Sequence, residues 1–143
     1  MQGVDHKGHE ELTLLELVLQ LNGAFRQILE PIRVTPFQAG VLLFLRRHAD
    51  ARVTDTTSAL RVRMPTLIEV VKDLVRKRWV TKHRSVTDTR VVHLRLSRRG
   101  QNLARRIEER VRQVSTGAVA NKDLTAAGLT RLHRVRDQLK ESR

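Results

Sequence analysis

The sequence predicts a mainly α-helical chain with one small β wing, and three observations carry that expectation. Apolar residues recur at steps of three and four over most of the length, as on amphipathic helices. Residues 80–84 and 91–96 instead suit strands around the turn-forming Thr87-Asp88-Thr89, and the second alternates Val92, Leu94 and Leu96 against Val91, His93 and Arg95. Charge is segregated: residues 1–50 hold five Lys/Arg and six Asp/Glu, residues 51–110 hold 16 and six, and residues 111–143 hold seven and three, for a net charge of +13. A basic middle between less charged ends is the footprint expected for a polyanion ligand, the alternative being solvated helix faces.

At 143 residues the chain is expected to be one domain, able to bury roughly two-thirds of its unfolded surface. The absence of cysteine excludes disulfides, cysteine-based metal sites and thiol redox sensing. The N-terminus has no basic flank before an apolar run, and no uninterrupted apolar stretch approaches spanning length. A soluble, cytoplasmic protein without a membrane partner is expected.

The first helix is expected over 10–29. Leu14, Val18, Leu21, Phe25 and Ile28 form one apolar row, and Leu12, Leu15 and Leu19 form a second beside it. That stripe is too wide for one neighbour: either the helix is deep in its own domain or it packs partly against another subunit, and its length favours the second. Pro31 ends it. Thr35 then caps the next helix, with Pro36 at the first helical position and Gln38 at capping-box spacing. Phe37, Val41, Phe44 and Leu45 supply the buried face, and Arg46, Arg47 and His48 suit the negative end.

Residues 51–53 read as a short extended link and 54–60 as a short helix with Thr54 or Asp55 near its cap. A longer helix spans 62–79, starting near Pro65. Leu67, Val70, Val71 and Leu74 cluster on one side of it, Pro65, Glu69, Lys72 and Arg76 lie opposite, and Thr66, Ile68 and Asp73 occupy the flanks. A short helix, a turn and a helix with a polar outer face make a helix-turn-helix, to which the hairpin adds a wing. Asp88 and Arg90 sit at the wing tip, and Ser97 is an N-cap at its exit, followed by Arg98, Arg99 and Gly100. Leu103, Ile107, Val111 and Val114 mark a long helix, and Gly117 and Asn121 break the pattern. Thr125 caps a last helix with Leu129, Leu132, Val135 or Arg136, and Leu139 on one side. Residues 10–30 and 101–141 are therefore expected to be dimerisation helices around a winged lobe at 35–100.

The order of elements and the residues together resemble the MarR family of bacterial transcription regulators, which are winged helix-turn-helix dimers. Asp88-x-Arg90 followed by Leu96-Ser97-x-x-Gly100 is similar to the family's D-x-R wing tip and L-[TS]-x-x-G exit. Leu74-x-x-Lys77-x-Trp79-Val80-x-Lys82 resembles the segment leading from recognition helix to wing, and Leu124-Thr125 the opening of the last helix. The resemblance implies that Arg90 enters a minor groove, reading its width, with Asp88 holding it or its loop in place; a surface Asp–Arg pair is the bland alternative. It places Thr66, Glu69 and Lys72, beside Pro65, at a major groove, and Ile68 either against a thymine methyl or on the flank of the core. Arg63, Arg76, Lys77 and Arg84 are then phosphate contacts, which position without specifying. Three departures stand out. Thr56 and Thr57 replace the usual Leu-Ala, so the first helix of the motif is expected to pack less firmly. Arg78 replaces the glycine ending the recognition helix, and so either adopts a left-handed conformation or ends the helix differently. Gly128 stands where a capping-box acid is usual.

Nothing nominates catalysis or a cofactor. The six histidines are scattered as His6, His9, His48, His83, His93 and His133, and only His6 and His9, in an N-terminal tail expected to be mobile, have ligand spacing. There is no glycine-rich phosphate loop, Ser/His/Asp set or paired-carboxylate arrangement. The resemblance implies a small-molecule effector in a cleft beside the dimer helices. With three Phe, one Trp and no Tyr the chain names no stacking pocket, and Phe25, Phe37 and Phe44 suit a plain core. The resulting expectation is a homodimeric, sequence-specific regulator, a repressor by analogy, on a pseudo-palindromic site in double-stranded DNA. Its rivals are a low-specificity architectural DNA-binding protein and a protein-interaction scaffold.

Overall fold

The computed structural model describes residues 6–118 and 126–141, and the chain forms two compact units, Met1–Arg110 and Val111–Arg143. In the first, helix α1 (His6–Leu29) begins four residues before the expected Glu10, so His6 and His9 belong to a helix and not to a tail. Leu29 is buried, whereas Leu15, Leu17, Val18, Leu19, Leu21 and Phe25 remain exposed. The helix is therefore not deep within its own chain. Pro31 lies in a 3-10 turn, Glu30–Ile32, closed by a left-handed Arg33.

Helix α2 (Pro36–Arg47) starts where local chemistry dictates. Thr35 Oγ1 accepts the Gln38 amide and Gln38 Oε1 accepts the Thr35 amide, each at 3.1 Å, and Pro36 fills the first turn. Val41, Leu42, Phe44 and Leu45 form the centre of the core. Gln38 is itself only 8% exposed, and its Nε2 donates to Asp73 Oδ2 at 2.6 Å, so the cap of one helix is tied to the side of another.

Residues 51–53 are not simply a link. Ala51 and Arg52 form strand β1, antiparallel to the second strand of the hairpin, with Ala51 opposite Leu94 and Arg52 opposite His93. Helix α3 (Val53–Leu60) follows at once. Its N-cap is Arg52, and Asp55, expected near the cap, takes the third helical position, where its Oδ2 accepts the Arg52 amide at 3.3 Å. The expectation of loose packing at Thr56 is also corrected, because Thr56 is 0% exposed and its hydroxyl donates to Arg52 O at 3.0 Å, which satisfies the buried oxygen.

Helix α4 (Met64–Arg76) is shorter at both ends than the expected 62–79. Leu67, Val71 and Leu74 are buried and Val70 is half-buried. Arg78 answers the question its glycine-like position posed: it is left-handed at φ 61°. Its amide donates to Val75 O at 2.9 Å and that of Trp79 to Leu74 O at 3.0 Å, closing the last turn. A non-glycine residue in this conformation costs about 1 kcal/mol or more.

Strands β2 (Val80–Arg84) and β3 (Val92–Leu96) pair antiparallel, Val80 opposite Leu96 and His83 opposite His93, in a three-stranded sheet of order β1-β3-β2. β3 begins one residue later than expected because the amide of Val91 closes the turn on Asp88 O at 3.0 Å. Val80 and Leu94 are buried against the helices. Ser97 Oγ accepts the Gly100 amide at 3.0 Å and donates to Arg78 O at 2.6 Å, capping α5 (Arg98–Ala118) and fastening it to the end of α4. A Cβ on Gly100 would lie 2.0 Å from Trp79 O, so close approach is what this glycine serves.

Leu103, Ala104 and Ile107 anchor α5, which runs on through Gly117 where a break was expected. Asn121, Leu124 and Thr125 lie outside the described residues. In the second unit α6 (Ala126–Glu141), which includes Gly128 in its first turn, leaves Leu132, Val135 and Leu139 exposed. Among the described residues no single helix is long and apolar enough to cross a membrane.

Candidate nucleic-acid interface

The polar face of α4 forms because its apolar residues fall on one side. Pro65, Thr66, Ile68, Glu69, Lys72 and Arg76 are all exposed, and Arg63, the residue before the helix, is exposed too. The cations on this face have carboxylate neighbours one turn away: Lys72 Nζ is 3.3 Å from Glu69 Oε1, and Arg76 pairs with Asp73. Such exposed pairs are worth little, so either cation can exchange its partner for a phosphate or a base.

The wing tip is ordered by its own polar groups. Ser85 Oγ accepts the amides of Thr87 and Asp88 at 3.3 and 3.4 Å, and Arg84 Nη1 donates to Thr89 O at 2.9 Å. Asp88 Oδ1 accepts both the Arg90 amide and Arg90 Nε. The Arg90 side chain is nonetheless 90% exposed, held at its base and free at its head.

Between α4 and the wing lies a cleft of about 450 Å³, lined among others by Ile68, Arg84 and Arg90, with Arg52 and Lys82 beside them. Four cations over an apolar floor of Met64, Ile68 and Val71 make this the electropositive concavity of the lobe. Ile68 is 39% exposed and faces the cleft, so neither core nor solvent alone describes it. Arg52 and Lys82 were missed from the sequence. Lys82 shares a strand face with Arg84 and could have been found by alternation, whereas Arg52 depends on the pairing of β1. Lys77 lies elsewhere, lining a second recess with Arg26 and Arg33, 5.0 Å from the ring of Trp79 and 3.1 Å from Asp73 Oδ2.

Three aspartates have carboxyls held below their usual range. Asp73 is lowered chiefly by the hydrogen bond from Lys77, then by that from Arg76; Asp55 by Arg52; and Asp50 by Arg95. Asp50, in the turn before β1, accepts Arg95 Nε and Nη2 at 2.7 and 3.1 Å while its carbonyl meets His93 Nδ1 at 2.9 Å. This joins the base of the wing to the end of α2. No group of three or more His, Asp or Glu side chains able to hold a metal ion occurs among the described residues.

The sequence model of the SarA/Rot transcriptional regulators matches residues 24–107, more than half of the chain. No curated protein sequence matches. Among solved structures, a mutant of MarR from E. coli complexed with operator DNA is 22% identical, with a TM-score of 0.77 over 96% of this chain and 99% of its own. The S. aureus MepR–DNA complex is 18% identical, with a TM-score of 0.77 over 93% and 97% of the two chains. BldR from Sulfolobus solfataricus is 16% identical, with a TM-score of 0.79 over 96% and 99%. At these identities the likeness establishes the fold, and the expected winged helix-turn-helix of MarR type is borne out. With that fold and a family match running from the end of α1 to the core of α5, the chain belongs to the SarA/Rot family of transcriptional regulators.

Proposed function

We propose that the protein is a homodimeric, sequence-specific DNA-binding repressor that works in the cytoplasm on a pseudo-palindromic site. The observation that carries this reading is the cleft between α4 and the wing, where Ile68 of α4 meets the cations Arg52, Lys82, Arg84 and Arg90, with the exposed Thr66, Glu69 and Lys72 outside it on the same helix. Thr66, Glu69 and Lys72 would meet base edges in a major groove, with Pro65 and Ile68 against them, and Arg90 a narrow minor groove. Arg63, Arg76 and Arg84 would hold phosphates. Exposed apolar rows on α1 and on α6 support the dimer, and residues 10–30 and 101–141 would supply its helices. Release by a small-molecule effector belongs to the same reading; a tenfold shift requires about 1.4 kcal/mol of preference between two arrangements of the lobes.

Selection of bound fragments from random DNA tests the proposal, read for an inverted repeat with half-sites roughly 10 bp apart. Lys72→Ala or Thr66→Ala should relax preference within a half-site by about 1–3 kcal/mol per lost base contact. Arg84→Ala should weaken every duplex alike. Equal losses for all variants on selected and scrambled duplexes would favour architectural binding instead.

A further inference from the structure

Of the two carboxylates on α4, Asp73 is tied to another element: its side chain is 23% exposed and accepts from Gln38 of α2 as well as from Lys77 and Arg76. No such tie holds Glu69. Its side chain is 75% exposed, its Oε1 accepts Lys72 Nζ at 3.3 Å, and its Oε2 has no partner among the described residues. A negative charge in the middle of a face that turns toward a polyanion lowers affinity, so the acceptor there serves something other than attraction.

The chemistry of the bases says what. In a major groove the donors are the amino groups of C and A, which an acceptor-only carboxylate can meet, whereas a donor-only ammonium suits the adjacent O6 and N7 of G. Helix geometry joins the two protein groups. A long helical side chain leans toward the N-terminus, which brings Lys72 back over Glu69 across one turn. The resulting acceptor and donor, 3.3 Å apart, match a G·C pair, whose C amino group and G O6 are hydrogen-bonded to one another at about 3 Å. We infer that Glu69 and Lys72 act as one unit reading a single G·C base pair in each half-site, Glu69 accepting from the C amino group and Lys72 donating to G O6 and N7. The inference rests on the DNA-binding reading above. Each charge keeps its partner on the protein while it gains one on the DNA, so neither enters the groove uncompensated. An A·T pair fits less well, because its amino group lies between two separate acceptors and the ammonium makes one bond in place of two.

The test uses the full chain and its Glu69→Gln, Lys72→Met and Thr66→Ala variants, on a duplex selected from random fragments and on copies in which each base pair of the half-site is replaced in turn. Fluorescence anisotropy at fixed salt gives each affinity. For the unaltered chain, changing one G·C pair to A·T should cost about tenfold or more. In Glu69→Gln that cost should fall to about threefold or less, because a glutamine amide also fits adenine, and in Lys72→Met it should fall at the same position. Thr66→Ala should leave that position unchanged. On a scrambled duplex Glu69→Gln should bind more tightly than the unaltered chain, since a negative charge has left the face, and Lys72→Met less tightly. Relaxation at two different base pairs in the Glu69 and Lys72 variants would overturn the inference while leaving the functional reading intact. So would a shared position that prefers A·T, or relaxation at the same pair in Thr66→Ala, because any change to the helix face would then suffice. Selection that yields no common motif would overturn the functional reading, and this inference with it.

Discussion

One oxygen of Asp88 accepts hydrogen bonds from the backbone amide of Arg90 at 3.0 Å and from its Nε at 3.3 Å. The carboxylate thus orders the turn and restrains the arginine at once. Because the pair is exposed, Asp88→Ala should cost under about 1 kcal/mol of stability. It should nevertheless weaken duplex binding, since Arg90 must then be ordered on association. Arg90→Ala should weaken binding further and lessen preference for A·T pairs flanking the core, read by fluorescence anisotropy on two duplexes that differ only there. Unaltered affinity in both variants would remove the wing from the interface.

Gln38→Leu should destabilise the lobe by about 1–3 kcal/mol, because Asp73 and the Thr35 amide both lose a part-buried partner. The shift of the urea midpoint at constant slope measures it. A change within about 0.5 kcal/mol would mean that water replaces the amide without cost.

Gly100→Ala tests the close approach at the wing exit. Its Cβ would collide with the carbonyl oxygen of Trp79, which belongs to backbone and cannot rotate away. Destabilisation of about 3 kcal/mol or more is expected in thermal unfolding. Gly40→Ala, where a Cβ meets nothing within 4 Å, should be neutral or stabilising.

Acid should loosen the base of the wing. Asp50 has a lower pKa folded than unfolded, so its contribution is complete above the unfolded value of about 3.9 and disappears as pH falls through the folded one. Asp50→Asn keeps a residue tolerant of the left-handed backbone and should flatten this part of the stability–pH curve. Identical acid limbs in parent and variant would contradict the assignment.

Leu19→Glu addresses assembly. In a monomer this exposed position should tolerate the change within about 0.5 kcal/mol. In a dimer held through α1 it would bury a charge, and sedimentation at low micromolar concentration should show dissociation. A dimer of undiminished stability would place the interface elsewhere.

How much was legible in the sequence follows from how local each signal is. The Thr35–Gln38 box, the Pro36 start and the Asp88–Arg90 turn are set by residues within three positions of one another, and each appears as expected. The alternation of 92–96 likewise identified β3. Strand β1 escaped because two residues carry no period, and only pairing with residues some forty positions later makes them a strand. The Gln38–Asp73 bond spans 35 positions and leaves no trace in either local pattern. Of the left-handed arginines, Arg78 was one of two alternatives the sequence offered, whereas Arg33 and Arg61 escaped for the opposite reason: the local rule, glycine at a helix end, was clear, and the chain departs from it.

β2 lies at the edge of the sheet, and among the described residues no strand covers its far side. Its unpaired amides and carbonyls are a template on which another chain could add a strand. The exposed residues along it are Thr81, Lys82, His83 and Arg84, so a second copy meets the same row of positive charge. That repulsion shrinks with ionic strength, the screening length falling to about 3 Å at 1 M salt. The arm that attracts a polyanion at low salt thereby also keeps the free protein from aggregating, and its colloidal stability and its attraction for DNA should decline together as salt is raised.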